Sequence, residues 1–245
     1  MKQGKNEEDK VYSSARDTIE AFEFNAQVAD VFENMIERSV PGYSLLLDMI
    51  GVLTERYAQP GSNSYDLGCS LGASTLRIRQ NLPQDCKVIG IDNSAAMVER
   101  CRHNIKRDHS QATAEIRQEN IQETNIENAT VIVMNFTLQF IADEDRPALL
   151  KKILDGLNKG GILILSEKVK FEDTNRQKLM TELHHEFKKF QGYSDLEIAQ
   201  KRTSLEDVLV PNTMATHIKR LQEAGFTTVE LCVRCLNFVA FLAIK

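Results

Sequence analysis

From Ser62 onward the chain alternates short apolar runs with amphipathic stretches, and no other feature constrains its fold as much. Tyr65-Asp66-Leu67 reads as the end of a strand and Ala73–Asn81 as a helix. Lys87–Asp92 reads as a strand, Ala95–Lys106 as a helix and Ala114–Arg117 as a short strand. Thr130–Met134 is β-branched with no polar alternation, the pattern of a central strand covered on both faces. Arg146–Leu157 reads as a helix stopped by Asn158-Lys159-Gly160-Gly161, and Ile162–Ser166 as a further buried strand. Repeated βα units of this length predict a doubly wound α/β fold, a parallel sheet with helices on both faces. His217–Ala224 is a helix ending at Gly225. The last two strands, Thr227–Val233 and Leu236–Ile244, are joined too tightly for a crossover helix and must run antiparallel. The expectation is a mostly parallel seven-stranded sheet that ends in an antiparallel hairpin.

The rest of the chain hangs on that frame as one domain, residues 1–245. Residues 1–19 are polar and are expected to be mobile or loosely docked. Residues 20–61 carry two helices. Val28, Val31, Phe32, Met35 and Ile36 mark the first, and Leu45, Leu46, Met49, Ile50 and Leu53 the apolar face of the second. Residues 172–209 are charged and helical, an insertion or lid after the fifth strand. The 245 residues hold 30 Lys+Arg against 35 Asp+Glu, a net charge of -5, which argues against a protein that grips nucleic acid by neutralising phosphates. No stretch approaches the ~20 apolar residues of a membrane span, and Met1–Lys10 lacks the apolar core of a signal peptide. Five scattered cysteines suit a reducing compartment. Together these features predict a cytoplasmic protein that acts on small molecules.

The first strand runs into Asp66-Leu67-Gly68-Cys69-Ser70-Leu71-Gly72-Ala73 and then a helix. Gly68 would let the backbone approach a ligand, and Gly72 would open the helix without a Cβ in the way. The second strand ends in Asp92, where this fold places a carboxylate to accept hydrogen bonds from ribose hydroxyls. A dinucleotide loop would favour G-x-G-x-x-G, but here Ser70 stands where the second glycine is wanted. D-x-G-x-x-x-G is instead the pattern of class I methyltransferase-like proteins, which bind S-adenosylmethionine, a ligand without phosphate. A glycine turn serving only tight packing is the competing reading. Asn120, after the third strand, can meet an adenine edge with its amide. Asn135, at the end of the fourth strand, is as readily a turn residue as a ligand contact.

Further motifs narrow the family. Ser39–Ser44 (SVPGYS), Tyr65–Ala73 (YDLGCSLGA), Ile91–Ser94 (IDNS), Ile126–Ala129 (IENA), Asn135–Phe140 (NFTLQF), Leu165–Lys168 (LSEK) and Gln200–Arg202 (QKR) resemble the carboxy-S-adenosyl-L-methionine synthases, from about residue 20 to the C-terminus. The resemblance implies a homodimeric, metal-free enzyme that does not methylate. It implies that S-adenosylmethionine and prephenate become carboxy-S-adenosyl-L-methionine and phenylpyruvate, through a sulfonium ylide that captures carbon dioxide. A separate tRNA carboxymethyltransferase would take the product to the wobble uridine, with no direct tRNA binding by this chain. By motif, the implied ligand contacts are Tyr43, Gly68, Cys69, Ser70, Asp92, Asn93, Asn120, Ile121, Asn135 and Arg202. The family commonly has Asp where this chain has Asn120, which keeps the acceptor. Tyr43 could face a sulfonium, worth ~0.5–2 kcal/mol, or simply pack between helices. Arg202 would suit a product carboxylate. Read locally, Lys201-Arg202 is a solvated helix face, and only the resemblance makes Arg202 a site residue.

No convincing protein base emerges for removing the methyl proton, and prephenate's own hydroxyl is the alternative. Cys232-x-x-Cys235 lacks a second pair and reads as small buried residues rather than a zinc or redox site. His184-His185 point about a hundred degrees apart and cannot chelate as a pair; they read first as surface histidines, with one of them lining the pocket as the alternative. The basic run from Arg100 to Arg107 reads as a solvated helix face, with a docking patch for tRNA or a partner enzyme as the alternative. Two rival functions stand: a conventional S-adenosylmethionine-dependent methyltransferase, and a non-catalytic carrier of the nucleoside.

Overall fold

The computed structural model describes residues 8–245. Seven strands form one sheet: β1 (Asn63–Leu67), β2 (Lys87–Asp92), β3 (Thr113–Gln118), β4 (Ala129–Asn135), β5 (Leu157–Lys168), β6 (Thr228–Cys235) and β7 (Phe238–Ile244). Their order is β3-β2-β1-β4-β5-β7-β6. The first five are parallel, and β7 runs antiparallel between β5 and β6. The order reverses between β1 and β4, the kind of switch point that opens a crevice beyond the strands' carboxyl ends.

Helices α1 (Ala26–Ser39) and α2 (Tyr43–Tyr57) precede the sheet, and α3 (Ala73–Asn81), α4 (Ala95–Arg107) and α5 (Arg146–Gly156) connect its parallel strands. Two more, α6 (Thr174–Phe190) and α7 (Asp195–Leu205), follow β5, and α8 (Met214–Ala224) leads to the hairpin. Each face of the sheet carries its own apolar layer. Ile89, Ile132, Leu150, Leu163 and Phe241 belong to one, while Ile50, Ile78, Val131, Ile164 and Ala240 belong to the other. All seven residues of β4 but the last are buried, as its unbroken apolar pattern requires.

Three expectations need correction. Residues 1–7 of the segment expected to be mobile or loosely docked lie outside the described residues, and 8–19 are not free but anchored at a few points, with residues 13–18 exposed. Asp9 and Tyr12 are buried, the Arg16 amide donates to Gln200 Oε1 (2.9 Å), and Gln200 Nε2 donates to the Tyr12 carbonyl (2.9 Å). A polar composition failed to show this because the partner of Tyr12 and Arg16, Gln200 on α7, lies almost two hundred residues away. Second, Asn158–Gly161 does not separate a helix from a strand. It is a bulge within β5: Leu157 pairs with Ala129, Ile162 with Val131, and Gly160 takes φ +74°. Backbone hydrogen bonds between Gly160, Gly161 and Lys245 hold it. Third, Leu45 is exposed, because α2 packs through Leu46, Ile50 and Leu53.

Candidate functional site

The turn from β1 into α3 is held by β2. The amides of Gly68 and Cys69 both donate to the Ile91 carbonyl (2.8 Å each), and the Ser70 amide donates to Asp92 Oδ2 (2.9 Å). In a phosphate-binding loop those N–H groups would point at the ligand. Here they are already spent, which suits a nucleoside without phosphate. Gly68 has φ +84°, and a Cβ there would lie 2.3 Å from Thr137 Oγ1. At Gly72 (φ +89°) it would lie 2.7 Å from Cys101 Sγ. Close packing within the fold is therefore the direct reason for both glycines. Ser70, at φ +49°, takes the left-handed conformation without being glycine, a local strain that the Asp92 contact stabilises.

Asp92 Oδ1 also accepts from the Ser94 amide (2.9 Å), which starts α4. Each carboxylate oxygen keeps a second lone pair for ribose hydroxyls. Burial raises the pKa of Asp92, opposed by these backbone donors. Asp66, at the end of β1, is fully buried and held by the Thr75 hydroxyl, and burial pushes it up to about 7. The Cys101 thiol beside it, and then burial, push the Cys69 thiol up, so its side chain is inert and only its backbone serves the loop.

One cavity of about 860 Å³ runs along the carboxyl ends of the strands. Tyr43, Gly68, Cys69, Ser70, Asp92, Asn93, Asn120, Ile121 and Asn135 all line it. Tyr43 is buried in the first turn of α2 behind Gly42 (φ +81°), and burial followed by Asp66, Glu37 and Glu33 keeps its phenol protonated. Asn120 Oδ1 accepts from the Gln122 amide (3.0 Å), so an adenine amine would share that oxygen while Nδ2 stays available. Asn135 Nδ2 donates to Ser74 Oγ (3.0 Å), whereas its buried Oδ1 has no hydrogen-bond partner among the described residues. An orphaned acceptor on the cavity wall marks a place for a ligand donor, such as an amino group. Next to it Phe136, at φ +60°, turns its ring onto Phe238 (5.8 Å between centroids). These residues fit S-adenosylmethionine.

Arg202 does not line the cavity. It is exposed on α7, beside His185. Its neighbour Lys201 is buried and lines the cavity instead, with Lys168, Lys188 and His184. His184 is thus not a surface residue. Its Nε2 lies 2.8 Å from the Ser39 carbonyl and must donate to it, and burial pushes its pKa down to about 2. Sequence reasoning missed the lysines. The available signal was spacing: Lys188 is one turn from His184, and Lys201 shares a helix face with Ile198 and Leu205. Cys232 and Cys235 are free and half-buried, with Cys232 Sγ against the Ala240 carbonyl (3.2 Å). In the basic run, Arg100 pairs with Asp30 and Arg102 donates to the Ile116 carbonyl. Among the described residues no group of three His, Cys, Asp or Glu could hold a metal, and no helix is long and apolar enough to cross a membrane.

Fold and site together define a class I methyltransferase-like protein that binds S-adenosylmethionine. Residues 65–161 match the model of a methyltransferase domain. The fold is similar to human N-acetylserotonin methyltransferase in complex with SAM, at TM-score 0.62 and 20% identity over 90% of this chain and 59% of that one. A putative S-adenosylmethionine-dependent methyltransferase from Methanococcus maripaludis gives 0.59 and 18%, over 93% and 96%. The particular family comes from much closer relatives. A carboxy-S-adenosyl-L-methionine synthase of Hahella chejuensis is 56% identical over 97% of this chain and 98% of its own length. One from Vibrio cholerae is 48% identical over 100% of both. The chain belongs to the carboxy-S-adenosyl-L-methionine synthase family.

Proposed function

We propose that the chain makes carboxy-S-adenosyl-L-methionine from S-adenosylmethionine and prephenate. The carrying observation is the two-ended chemistry of its cavity. Asp92, Ser70 and Asn120 suit a nucleoside at one end, and three lysines make the other cationic. The sulfonium is repelled by cations beside it, and three lysines exceed what the one methionine carboxylate would need, so an anionic co-substrate accounts for both ends.

The bonds balance without an oxidant or metal. Prephenate loses its ring carboxylate as carbon dioxide and its hydroxyl as hydroxide, leaving aromatic phenylpyruvate. The sulfonium-activated methyl group gives its proton to that hydroxide, forming water, and the resulting carbanion bonds to the carbon dioxide. The chain's own groups orient the partners and exclude water. Tyr43, Phe136 and Phe238 supply the dry walls, and α6 and α7 cover the cationic end.

The protein works as a cytoplasmic homodimer. Phe190 (87% exposed), Leu179 and Leu196 leave apolar side chains uncovered on α6 and α7, which supports pairing through that face. Arg202, exposed on the same helices, would then serve the product carboxylate in the partner's cavity. The product passes to a tRNA carboxymethyltransferase.

Mass spectrometry of ligand released from protein purified from cells tests the reading. The carboxylated nucleoside is expected. Recovery of only S-adenosylmethionine or its demethylated product would favour a conventional methyltransferase.

A further inference from the structure

Three lysines from three elements converge on one end of the cavity: Lys168 closes β5, Lys188 lies in the last turn of α6, and Lys201 lies on α7. Lys188 and Lys201 are 9% and 7% exposed, which is unusual for ammonium groups unless they are paired. Yet the pairing is poor. Lys201 Nζ donates to Ser39 Oγ (3.1 Å) and lies 4.0 Å from Asp9 Oδ2. Asp9 is itself occupied, accepting from the Tyr193 hydroxyl and the Val11 amide. Lys168 and Lys188 have no ion-pair partner among the described residues. Around them stand Arg38 against the Tyr193 ring, the neutral His184, and His185 with Arg202 on the rim; Glu33 and Glu37 line the same cavity, but Asp9 is the carboxylate whose charge acts on Lys188 and Lys201.

Burial first, and then mutual repulsion with Lys201 and Lys168, push Lys188 down to about 7. Burial pushes Lys201 down to about 8. A fold that gathers three lysines with only Asp9 close enough to offset Lys188 and Lys201 disfavours their charged forms, and the cavity there is short of negative charge. That arrangement is costly when the cavity holds only water, and it is relieved by an anion.

We propose that Lys168, Lys188 and Lys201 form the anion subsite for the small aromatic co-substrate, and that they grip the carboxylate which survives in its product. This rests on the co-substrate reading above and adds to it which end is held. The choice between the two carboxylates follows from the chemistry. An ion pair on the departing carboxylate would stabilise the ground state and resist loss of carbon dioxide, because that charge moves away in the transition state. Holding the retained keto-acid carboxylate costs nothing in the chemical step. It anchors the ring so that the departing carboxylate can face the sulfonium methyl group.

The test compares wild type with Lys188→Met and Lys201→Met, which keep the apolar stem and remove the charge. Each variant should raise KM for prephenate at least tenfold and raise Ki for phenylpyruvate by the same factor. The dissociation constant for S-adenosylmethionine should stay within twofold. Unchanged KM and Ki would overturn the proposal. So would a tenfold loss of S-adenosylmethionine affinity, which would assign the lysines to the methionine carboxylate. A wild-type measurement covers variants that fail to fold: calorimetric titration of phenylpyruvate at pH 8, in two buffers of different ionisation enthalpy. Proton uptake on binding is expected as the anion recharges the lysines, and binding without uptake would overturn the proposal. Should wild type bind phenylpyruvate with proton uptake yet never turn over prephenate, the function reading fails while the subsite stands.

Discussion

The two ends of the cavity are built on opposite principles. At the nucleoside end the backbone donors are satisfied before any ligand arrives: Gly68, Cys69 and Ser70 donate to Ile91 and Asp92. At the lysine end, buried Lys188 and half-buried Lys168 have no ion-pair partner among the described residues, and burial lowers the pKa of both. The first end is a tightly packed turn whose ligand groups are by-products of good packing. The second stores electrostatic cost that only an anion removes. Substitutions should therefore act in opposite directions on stability at the two ends.

The largest effect is expected at the packed end. Gly68→Ala meets both a positive φ and Thr137 Oγ1 at 2.3 Å. It should cost about 3–4 kcal/mol of stability in chemical denaturation. Adding Thr137→Ala should recover the contact part of that loss and leave the conformational part. Full tolerance of Gly68→Ala would break the picture of a turn set by packing. Next, if Asp92 accepts from the ribose hydroxyls as proposed, Asp92→Ala should cost S-adenosylmethionine about 2–3 kcal/mol of affinity, roughly a hundredfold by calorimetry.

At the other end the sign reverses. Lys188→Met should stabilise the unliganded protein by about 1–2 kcal/mol near neutral pH, while impairing prephenate use. The pH dependence sharpens this. The Lys188 pKa is depressed from 10.5 to about 7, so the unfolded chain binds a proton there that the folded one lacks. Wild type therefore gains stability as pH rises from about 7 to 10.5, and the advantage of Lys188→Met should fade over that window. Glu167 gives the mirror image. It is fully buried on β5, burial pushes it up to about 8 against the opposing Arg146 charge, and it folds as the neutral acid. Its contribution is complete below about 4.5 and is lost as pH rises to about 8, so the benefit of Glu167→Gln should grow across that range. Denaturation curves at pH 5, 7, 8 and 10 check both slopes. The smallest effect belongs to Arg202→Ala, which should leave stability within about 0.5 kcal/mol because the side chain is exposed.

The two ends also differ in how far the sequence reveals them. The glycine turn, Asp92 and Asn120 are contiguous with strands whose apolar runs are plain, so local pattern carries both the element and its place on the cavity wall. The bulge at Asn158–Gly161 was hidden because a Gly-Gly pair after a helix reads first as a stop. Lys188 and Lys201 look like solvated charge on polar helices. They become cavity residues only when α6 and α7 fold over Ser39, and when the Asp9 segment docks from the other end of the chain. Long-range contacts of that kind leave little trace in local spacing. The same contacts show why Arg202, one residue further on, faces outward.

The most direct test of the account is to supply prephenate carrying carbon-13 in its ring carboxylate, with S-adenosylmethionine and an excess of unlabelled bicarbonate. The account predicts that the label appears in the new carboxyl group of the adenosyl product, undiluted by the bicarbonate, alongside unlabelled phenylpyruvate. Label recovered only as dissolved carbon dioxide, with the sulfonium methyl group intact or passed to another acceptor, would contradict it.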